Sequence, residues 1–371
     1  MERAETRQEP TEHGSGSGEL QFEIDRDLIG TVNADGYFTS LNAAWERVLG
    51  WSREELMQRP FIDFVHPDDV ARTAREALKV DLPDYQLVNF ENRYRTKDGH
   101  WRWLRWSARS DGETWFAVAF DVTERKLAEA RLRGLLTAEN LLAYTQPILD
   151  AQGGALVQEE LLARVRSPGD GRMIILPEGF VPAAERHGLI GLVDQQMLSE
   201  GVRLANRGRY AEVNLSAQSI CDESLTLAVE RVLIQAGESA ERIVFEITES
   251  DAIHHLDAAR DFADRMVRLG CRFALDDFGT GYGSLTYLRH LPVRFLKIDT
   301  TFVRDLTRSS EDQAMVRSIV AIAKEFGLRT VAEGVEDALT LKLLREYGVH
   351  NVQGYLMGRP RPIAETAAVP S

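Results

Sequence analysis

The stretch Phe273–Leu285, FALDDFGTGYGSL, constrains this chain more than any other. Three apolar residues run into two adjacent aspartates, Asp276 and Asp277, and a glycine-punctuated loop follows at once. An apolar run of this kind reads as a buried parallel strand. In a barrel of such strands the C-terminal ends carry the chemistry. Adjacent side chains on a strand point to opposite faces. Two aspartates that share a site there need a sharply turning backbone, or two cations that require both. Gly279, Gly281 and Gly283 permit the turn. A solvated acidic turn would explain Asp-Asp alone. It explains the full motif poorly, because the rest of the chain supplies matching carboxylates.

From residue 138 onward, apolar strand-like runs alternate with helix-like segments. The runs are YTQPILD, ALVQEELLA, AEVNLS, RIVFEITES, RFALDDF, RFLKID, RTVAEGV and HNVQGY, with helices such as ALTLKLLREYG between them. Eight such runs predict an α/β fold, a TIM-like (β/α) barrel over residues 138–371. Near their ends stand Gln146, Glu160, Asn214, Glu246 with Glu249, Asp276 with Asp277, Lys297 with Asp299, Glu333 with Glu336, and Gln353. Burying even one unpaired carboxylate costs several kcal/mol, so a rim of them needs cations between. Carboxylate and amide oxygens suit Mg²⁺ or Mn²⁺, and no cluster of histidine and cysteine competes for zinc. Two such ions stabilise the attacking and leaving oxygens of a phosphodiester cleavage. The residues by themselves point to metal-dependent phosphoester hydrolysis.

The first part of the chain has a different character. Residues 1–18 are polar, with a GSGSG stretch, and are expected to form a disordered tail. Residues 19–125 read as a small α+β domain. Strands flank turns at Asp35-Gly36 and Asp98-Gly99, and a capping box is expected at Ser52 and Glu55. A charged amphipathic linker helix is expected over residues 126–137, with Leu127, Leu132, Leu135 and Leu136 as its stripe. It either packs on its own domain or joins two subunits as a short coiled coil.

Net charge narrows the partners. A formal charge of −14 argues against binding a nucleic-acid polymer. No apolar run is long enough for membrane insertion, and MERAETRQEPTEHGSGSGEL lacks the hydrophobic region of a signal peptide. Two cysteines, Cys221 and Cys271, make no disulfide framework. A cytoplasmic location is expected.

Nine pieces in order resemble the EAL domain of cyclic di-GMP phosphodiesterases. They are QPI at 146–148, EELLAR at 159–164, FVPAAERHGLI, VNLS at 213–216, FEITES at 245–250, DDFGTGYGSLTYL at 276–288, LKID at 296–299, AEGVED at 332–337 and QGYLMGRP at 353–360. The resemblance implies two Mg²⁺ or Mn²⁺ ions per active site. Glu160, Asn214, Glu246 and Asp276 would hold the first, and Asp276 would bridge to a second that Asp277 also binds. It makes Glu333 a ligand or the general base. Lys297 would hold the water and stabilise charge at the phosphorus, and Glu249 would anchor the DDFGTG loop. Arg164 would pair with a substrate phosphate, and Gln146 and Gln353 would contact the substrate. The implied reaction is in-line hydrolysis of cyclic di-GMP to linear pGpG by a homodimer.

Two departures stand out. The motif's central alanine is Leu161, and the usual tryptophan after the arginine is Val165. Leu161 adds volume on the packing face. Val165 is expected to remove an aromatic surface from the substrate side.

The first domain is similar to a PAS sensory domain, through NADGYFTSLNAAWERVLGWSREEL, FVHPDD, FENRYRTKDGHWRWL and FDVTERK. Its ligand is left open. Core packing of the aromatic residues is favoured over a flavin, and His66 and His100 read as surface residues rather than haem ligands. The whole reads as a PAS-regulated phosphodiesterase. The alternative is a catalytically silent EAL domain that serves as a cyclic di-GMP receptor or protein-interaction module.

Overall fold

The computed structural model describes residues 27–363 except 81, 83–84, 168–172 and 281–286. The expected tail over residues 1–18, and Gly281 and Gly283, lie outside the described residues. The chain divides into two compact units between Ala130 and Arg131, within the segment expected to be a linker helix.

The N-terminal unit is a five-stranded antiparallel sheet of order β2-β1-β5-β4-β3. Its strands are β1 (Leu28–Asn33), β2 (Phe38–Leu41), β3 (Leu87–Arg95), β4 (Trp101–Ser110) and β5 (Thr114–Asp121). Helices α1 (Ala44–Leu49), α2 (Arg53–Met57) and α3 (Pro67–Val80) lie between β2 and β3 in the chain. Gly50 ends α1 in the left-handed conformation, with φ 76°. Ser52 and Glu55 form a reciprocal capping box at the start of α2. The stop and the start are both written in the sequence as the residue types that satisfy orphan backbone groups.

Trp45, Tyr94, Leu104 and Trp106 fill the core of this unit. The buried indoles are satisfied: Trp45 Nε1 donates to Ile29 O at 3.0 Å, and Trp106 Nε1 to Asn92 Oδ1 at 2.7 Å. A cavity of about 60 Å³ remains among Phe38, Phe61, Asn92, Tyr94, Trp106 and Trp115. It is far below the roughly 300–1,000 Å³ of drug-sized ligand sites. Neither histidine lines it. His66 packs against Trp101 with ring centroids 4.4 Å apart, and the His100 side chain is 82% exposed.

Helix α4 (Thr123–Leu135) follows β5. Its expected stripe divides. Leu127 is exposed, whereas Leu132, together with Leu136 just past the helix end, joins the core of the C-terminal unit.

The C-terminal unit is an eight-stranded closed barrel. Its strands are β6 (Leu141–Asp150), β7 (Leu156–Arg166), β9 (Ala211–Asn214), β10 (Ile243–Thr248), β11 (Arg272–Phe278), β12 (Phe295–Ile298), β13 (Arg329–Ala332) and β14 (Asn351–Gln353). Short strands β8 (Ile174–Ile175) and β15 (Arg361–Pro362) extend β7 and β6. Pairing of β6 with β7 closes the ring.

One connection differs from strict alternation. β6 is antiparallel to both of its barrel neighbours, β7 and β14. The five residues Ala151–Ala155 are too few for a helix and form a hairpin instead. Asp150 Oδ1 accepts the N–H groups of Gln152 at 3.0 Å and Gly153 at 2.6 Å. Gly154 takes φ 72°. The remaining seven strands are parallel.

The two-residue period of a strand stacks the interior in layers. Ile148, Val244, Ala274, Phe295 and Val331 form an apolar floor. Two residues nearer the rim on the same strands stand Gln146, Glu246, Asp276, Lys297 and Glu333. Because β6 runs the other way, its step counts downward, from Ile148 to Gln146. On β7, β9 and β14 the same step leads from buried Gln158, Glu212 and Asn351 to Glu160, Asn214 and Gln353.

The helices of this unit are α5 (Val181–Arg186), α6 (Ile190–Ala205), α7 (Ala217–Cys221), α8 (Glu223–Ala236), α9 (Glu249–His254), α10 (Leu256–Arg268), α11 (Thr300–Arg304), α12 (Ser310–Glu325) and α13 (Ala338–Glu346). Among the described residues, no helix is long and apolar enough to cross a membrane. α6 approaches β7 and β9 closely at Gly201. A Cβ there would lie 2.9 Å from Val213 Cγ2 and 3.2 Å from Leu161 Cδ1. The volume that Leu161 adds is therefore taken up where the facing helix carries no side chain. Gly201→Ala should destabilise the protein by about 1–3 kcal/mol through overpacking. Leu161→Ala alone should cost about 2–5 kcal/mol. The double variant should lose less than the sum, because removing the leucine relieves one of the new methyl's two close contacts while that with Val213 remains. Urea unfolding of the four proteins checks this cycle.

Candidate active site

Lys297 stands at the centre of the rim, 1% exposed, on β12. Its Nζ donates to Glu246 Oε1 at 2.6 Å and lies 2.6 Å from Glu333 Oε1. Asp276 Oδ1 is 3.6 Å away and Glu160 Oε2 4.0 Å away. One ammonium therefore faces four carboxyl groups, which arrive on β7, β10, β11 and the chain just beyond β13.

A second set of contacts ties the amides to Glu160. Asn214 Nδ2 donates to Glu160 Oε1 at 2.9 Å, and Gln353 Nε2 donates to Glu160 Oε2 at 2.6 Å. Gln353 Nε2 also reaches Gln146 Oε1 at 3.2 Å, and Gln146 Nε2 donates to Gly358 O at 3.1 Å. The strand register produces this arrangement: Gln146 pairs with Glu160 across β6 and β7, and Glu246 with Asn214 across β10 and β9.

The two aspartates are brought together by the sharp turn. The register of β11 against β12 slips between Leu275 and Phe278, and Asp277 takes φ 55°. A left-handed non-glycine residue in a bulge re-aims side chains that would otherwise alternate. Gly279 follows with φ 99°, and its N–H donates to Glu249 Oε2 at 2.9 Å. Glu249 is buried in the first turn of α9, whose N-cap is Thr248. Its carboxylate thus reaches the loop, while Thr248 supplies the cap.

Burial and like charge set the protonation. Burial pushes Glu333 up to about 8, against Lys297 and with the help of Asp276 and Glu160. Burial, then Asp276 and Asp299, raise Asp277 to about 6. Burial and Asp276 hold Glu246 well above the carboxylate range despite Lys297. Burial would also raise Asp276, but Lys297, a hydrogen bond with Glu246 and the Asp277 backbone outweigh it and hold it low. Burial by itself would strip the proton from Lys297. Asp276, Glu160, Glu246 and Glu333 reverse this and keep it charged.

The donor set fits hard divalent cations. Glu246 Oε2 and Asp276 Oδ1 are buried without a hydrogen-bond partner. Glu246, Asp276 and Glu333 offer oxygens within 4.8 Å of one another, as do Asp277, Asp299 and Glu333. All are carboxylates, the ligands that suit Mg²⁺ and Mn²⁺.

Asp299 stands at this rim, as its place at the end of the LKID run implies, but outside the ligand set expected from the sequence. It is also a helix cap: its Oδ1 accepts Thr301 N–H at 2.9 Å. A carboxylate has a second oxygen, and the cap does not exhaust it. Glu212, fully buried beside Gln158 below Asn214, was missed, although it stands two residues before the asparagine. Arg164 lies near the rim acids without an ion pair to them; its guanidinium sits over the Tyr144 ring at 5.6 Å and is half-buried. Val165 does not line the substrate side as expected. It is buried in the same core cluster as Leu161, because residues four apart on a strand share a face.

A barrel whose rim gathers carboxylates, amides and one lysine is a class of metal-dependent site, and the comparisons give it a family. The family model described as EAL domain matches residues 129–360, and that described as PAS fold matches residues 38–114. The chain belongs to the EAL-domain family, with a PAS domain before the barrel. It is 37% identical over 249 residues to the cyclic di-GMP phosphodiesterase NbdA of Pseudomonas aeruginosa, covering 65% of this chain and 32% of that protein. It is 36% identical over 244 residues to the bifunctional diguanylate cyclase/cyclic di-GMP phosphodiesterase MucR of the same organism, covering 64% of this chain and 35% of that one. The chain thus spans about a third of the length of these relatives. Among solved structures, it resembles the PaMucR phosphodiesterase in complex with c-di-GMP, with a TM-score of 0.60 and 33% identity over 64% of this chain and 99% of that one. The FimX EAL domain from Pseudomonas aeruginosa bound to c-di-GMP aligns with a TM-score of 0.59 and 27% identity over 65% and 99% of the two chains.

Raised carboxyl groups make a testable signature. Glu333 binds its proton more tightly folded than unfolded, so its contribution is full below about pH 4.5 and is lost as pH rises towards about 8. Asp277 adds the same sign up to about 6. Asp276, held low, contributes above its ordinary value of 3.8 and does not change in this window. The Tm of the metal-free protein should fall between pH 5 and 8, and less steeply in Glu333→Gln. Added Mg²⁺ should raise Tm more at pH 8 than at pH 6, since cations compete with those protons. Differential scanning calorimetry across pH, with and without the ion, reads both effects.

Proposed function

We propose that this chain hydrolyses cyclic di-GMP to linear pGpG, using two Mg²⁺ or Mn²⁺ ions, under the control of its PAS domain. The observation that carries the reading is the excess of carboxylate around Lys297, with buried oxygens that lack hydrogen-bond partners. Family membership and the c-di-GMP-bound neighbours supply the substrate class.

The residues divide the work. Glu160, Asn214, Glu246 and Asp276 would hold one cation, and Asp276 with Asp277, joined by Asp299, the other. When bound, the cations supply Lewis acidity at the phosphoryl oxygens and the charge balance the rim lacks. Glu333 serves as a ligand or as the general base, and a pKa of about 8 is well placed for accepting a proton near neutral pH. Lys297 holds its charge where negative charge develops at the phosphorus. Glu249 fixes the Gly279 turn and so the position of Asp277. Arg164 offers a guanidinium fork to a substrate phosphate, and Gln146 and Gln353 orient the substrate beside Glu160. The same reading makes the protein a cytoplasmic homodimer that takes up no nucleic-acid polymer.

Incubation of the full chain with cyclic di-GMP and Mg²⁺ or Mn²⁺, beside a chelator control, tests this directly. Linear pGpG should form only with the metal. Glu160→Ala should abolish turnover, and Lys297→Met should slow it by about 10²–10³-fold. Binding of the dinucleotide without turnover would replace the enzyme by a receptor. Undiminished hydrolysis by Glu160→Ala would break the assignment of the site.

A further inference from the structure

We propose that Asp194 is a positioning residue for Asn214, the amide that the proposed function places among the ligands of the first cation; the inference rests on that reading. Asp194 lies on α6, outside the barrel, and is 8% exposed. Three donors converge on its Oδ2: Ser216 N at 3.0 Å, Ser216 Oγ at 2.8 Å and Ser219 Oγ at 2.6 Å. All three belong to the turn that begins two residues after Asn214. Burying a carboxylate here is costly, and every donor it collects serves to fix that one turn.

The turn has little freedom left. Leu215 N–H donates to Glu246 O at 3.0 Å, extending the pairing with β10. Ser216 is then tied to α6 by Asp194 and caps α7, accepting Ser219 N–H at 3.2 Å. Asp194, by accepting the Ser216 hydroxyl proton, aims the oxygen lone pair at that N–H. The backbone leaving Asn214 is thus fixed at consecutive residues, to a strand on one side and to a helix on the other. The same helix abuts Leu161, next to Glu160, at Gly201. One helix therefore sets the relative positions of Asn214 and Glu160, whose side chains are 2.9 Å apart.

Groups that orient ligands are typically worth about 10–100-fold in metal affinity. Mn²⁺ binding to the full chain, followed by electron paramagnetic resonance, is the readout. Asp194→Ala should weaken Mn²⁺ binding about tenfold. Asp194→Asn, which keeps an acceptor oxygen in place, should recover most of that loss. The Mn²⁺ concentration for half-maximal hydrolysis should move in parallel, with KM for cyclic di-GMP unchanged at saturating metal. Ser309→Ala removes the cap of α12 and serves as a control that lowers stability outside this turn. It should leave Mn²⁺ binding unaltered. If Asp194→Ala does not fold, Ser219→Ala removes the shortest of the three hydrogen bonds and should cost about threefold in affinity. Wild-type Mn²⁺ affinity in the folded Asp194 or Ser219 variants, or equal weakening in Ser309→Ala, would overturn the proposal alone. A wild-type chain that binds no Mn²⁺ would overturn the function reading, and this inference with it.

Discussion

The ammonium of Lys297 lies inside the barrel, within 4.0 Å of four carboxyl groups and almost without access to water. A buried lysine without partners would lose its proton. Here the acids hold the proton on, and in doing so they exceed the charge it can neutralise. The excess has two possible remedies. Protons are one, and the raised Glu246 and Glu333 are their signature. Divalent cations are the other, and they release those protons when they bind. On the proposed function, one cluster therefore couples the stability of the barrel to metal and to pH.

That cluster depends on register. Five strands place an apolar residue in the floor and a polar one two positions nearer the rim. The antiparallel β6 obeys the same rule with its count reversed, so Gln146 faces Glu160 rather than the floor. On β11 the alternation is broken at the rim itself. The bulge and the positive φ of Asp277 place a second carboxylate near Asp299 and Glu333. Among the described barrel residues other than glycine, positive φ occurs at the one position where consecutive residues must act together.

Much of this was legible in the sequence. Each barrel strand was visible as an apolar run, and each rim residue as the polar group at its end. A buried polar residue in an apolar strand is conspicuous, and Lys297 could not be explained without acidic partners. The hairpin between β6 and β7 was hidden, because strand runs alone do not carry direction; the clue was the five-residue AQGGA link. Asp299 was visible at the end of its strand but not as a partner of Asp277 and Glu333, because only the turn after β11 brings those carboxylates together. Val165 was misplaced because the motif was read around Arg164 rather than by counting from Leu161. Asp194 was invisible for a different reason: an acid on an amphipathic helix reads as solvated until the serines from a turn beyond β9 are seen to converge on it.

Diffraction from crystals grown with Mn²⁺, with anomalous data collected at the manganese edge, tests the central claim most directly. The account predicts two anomalous peaks at the rim. One lies among Glu160, Asn214, Glu246 and Asp276, and the other beside Asp276, Asp277 and Asp299. Lys297 should then be surrounded by carboxylates that all carry their charge. A rim without manganese, or manganese held elsewhere while Lys297 keeps its present pairs, would contradict it.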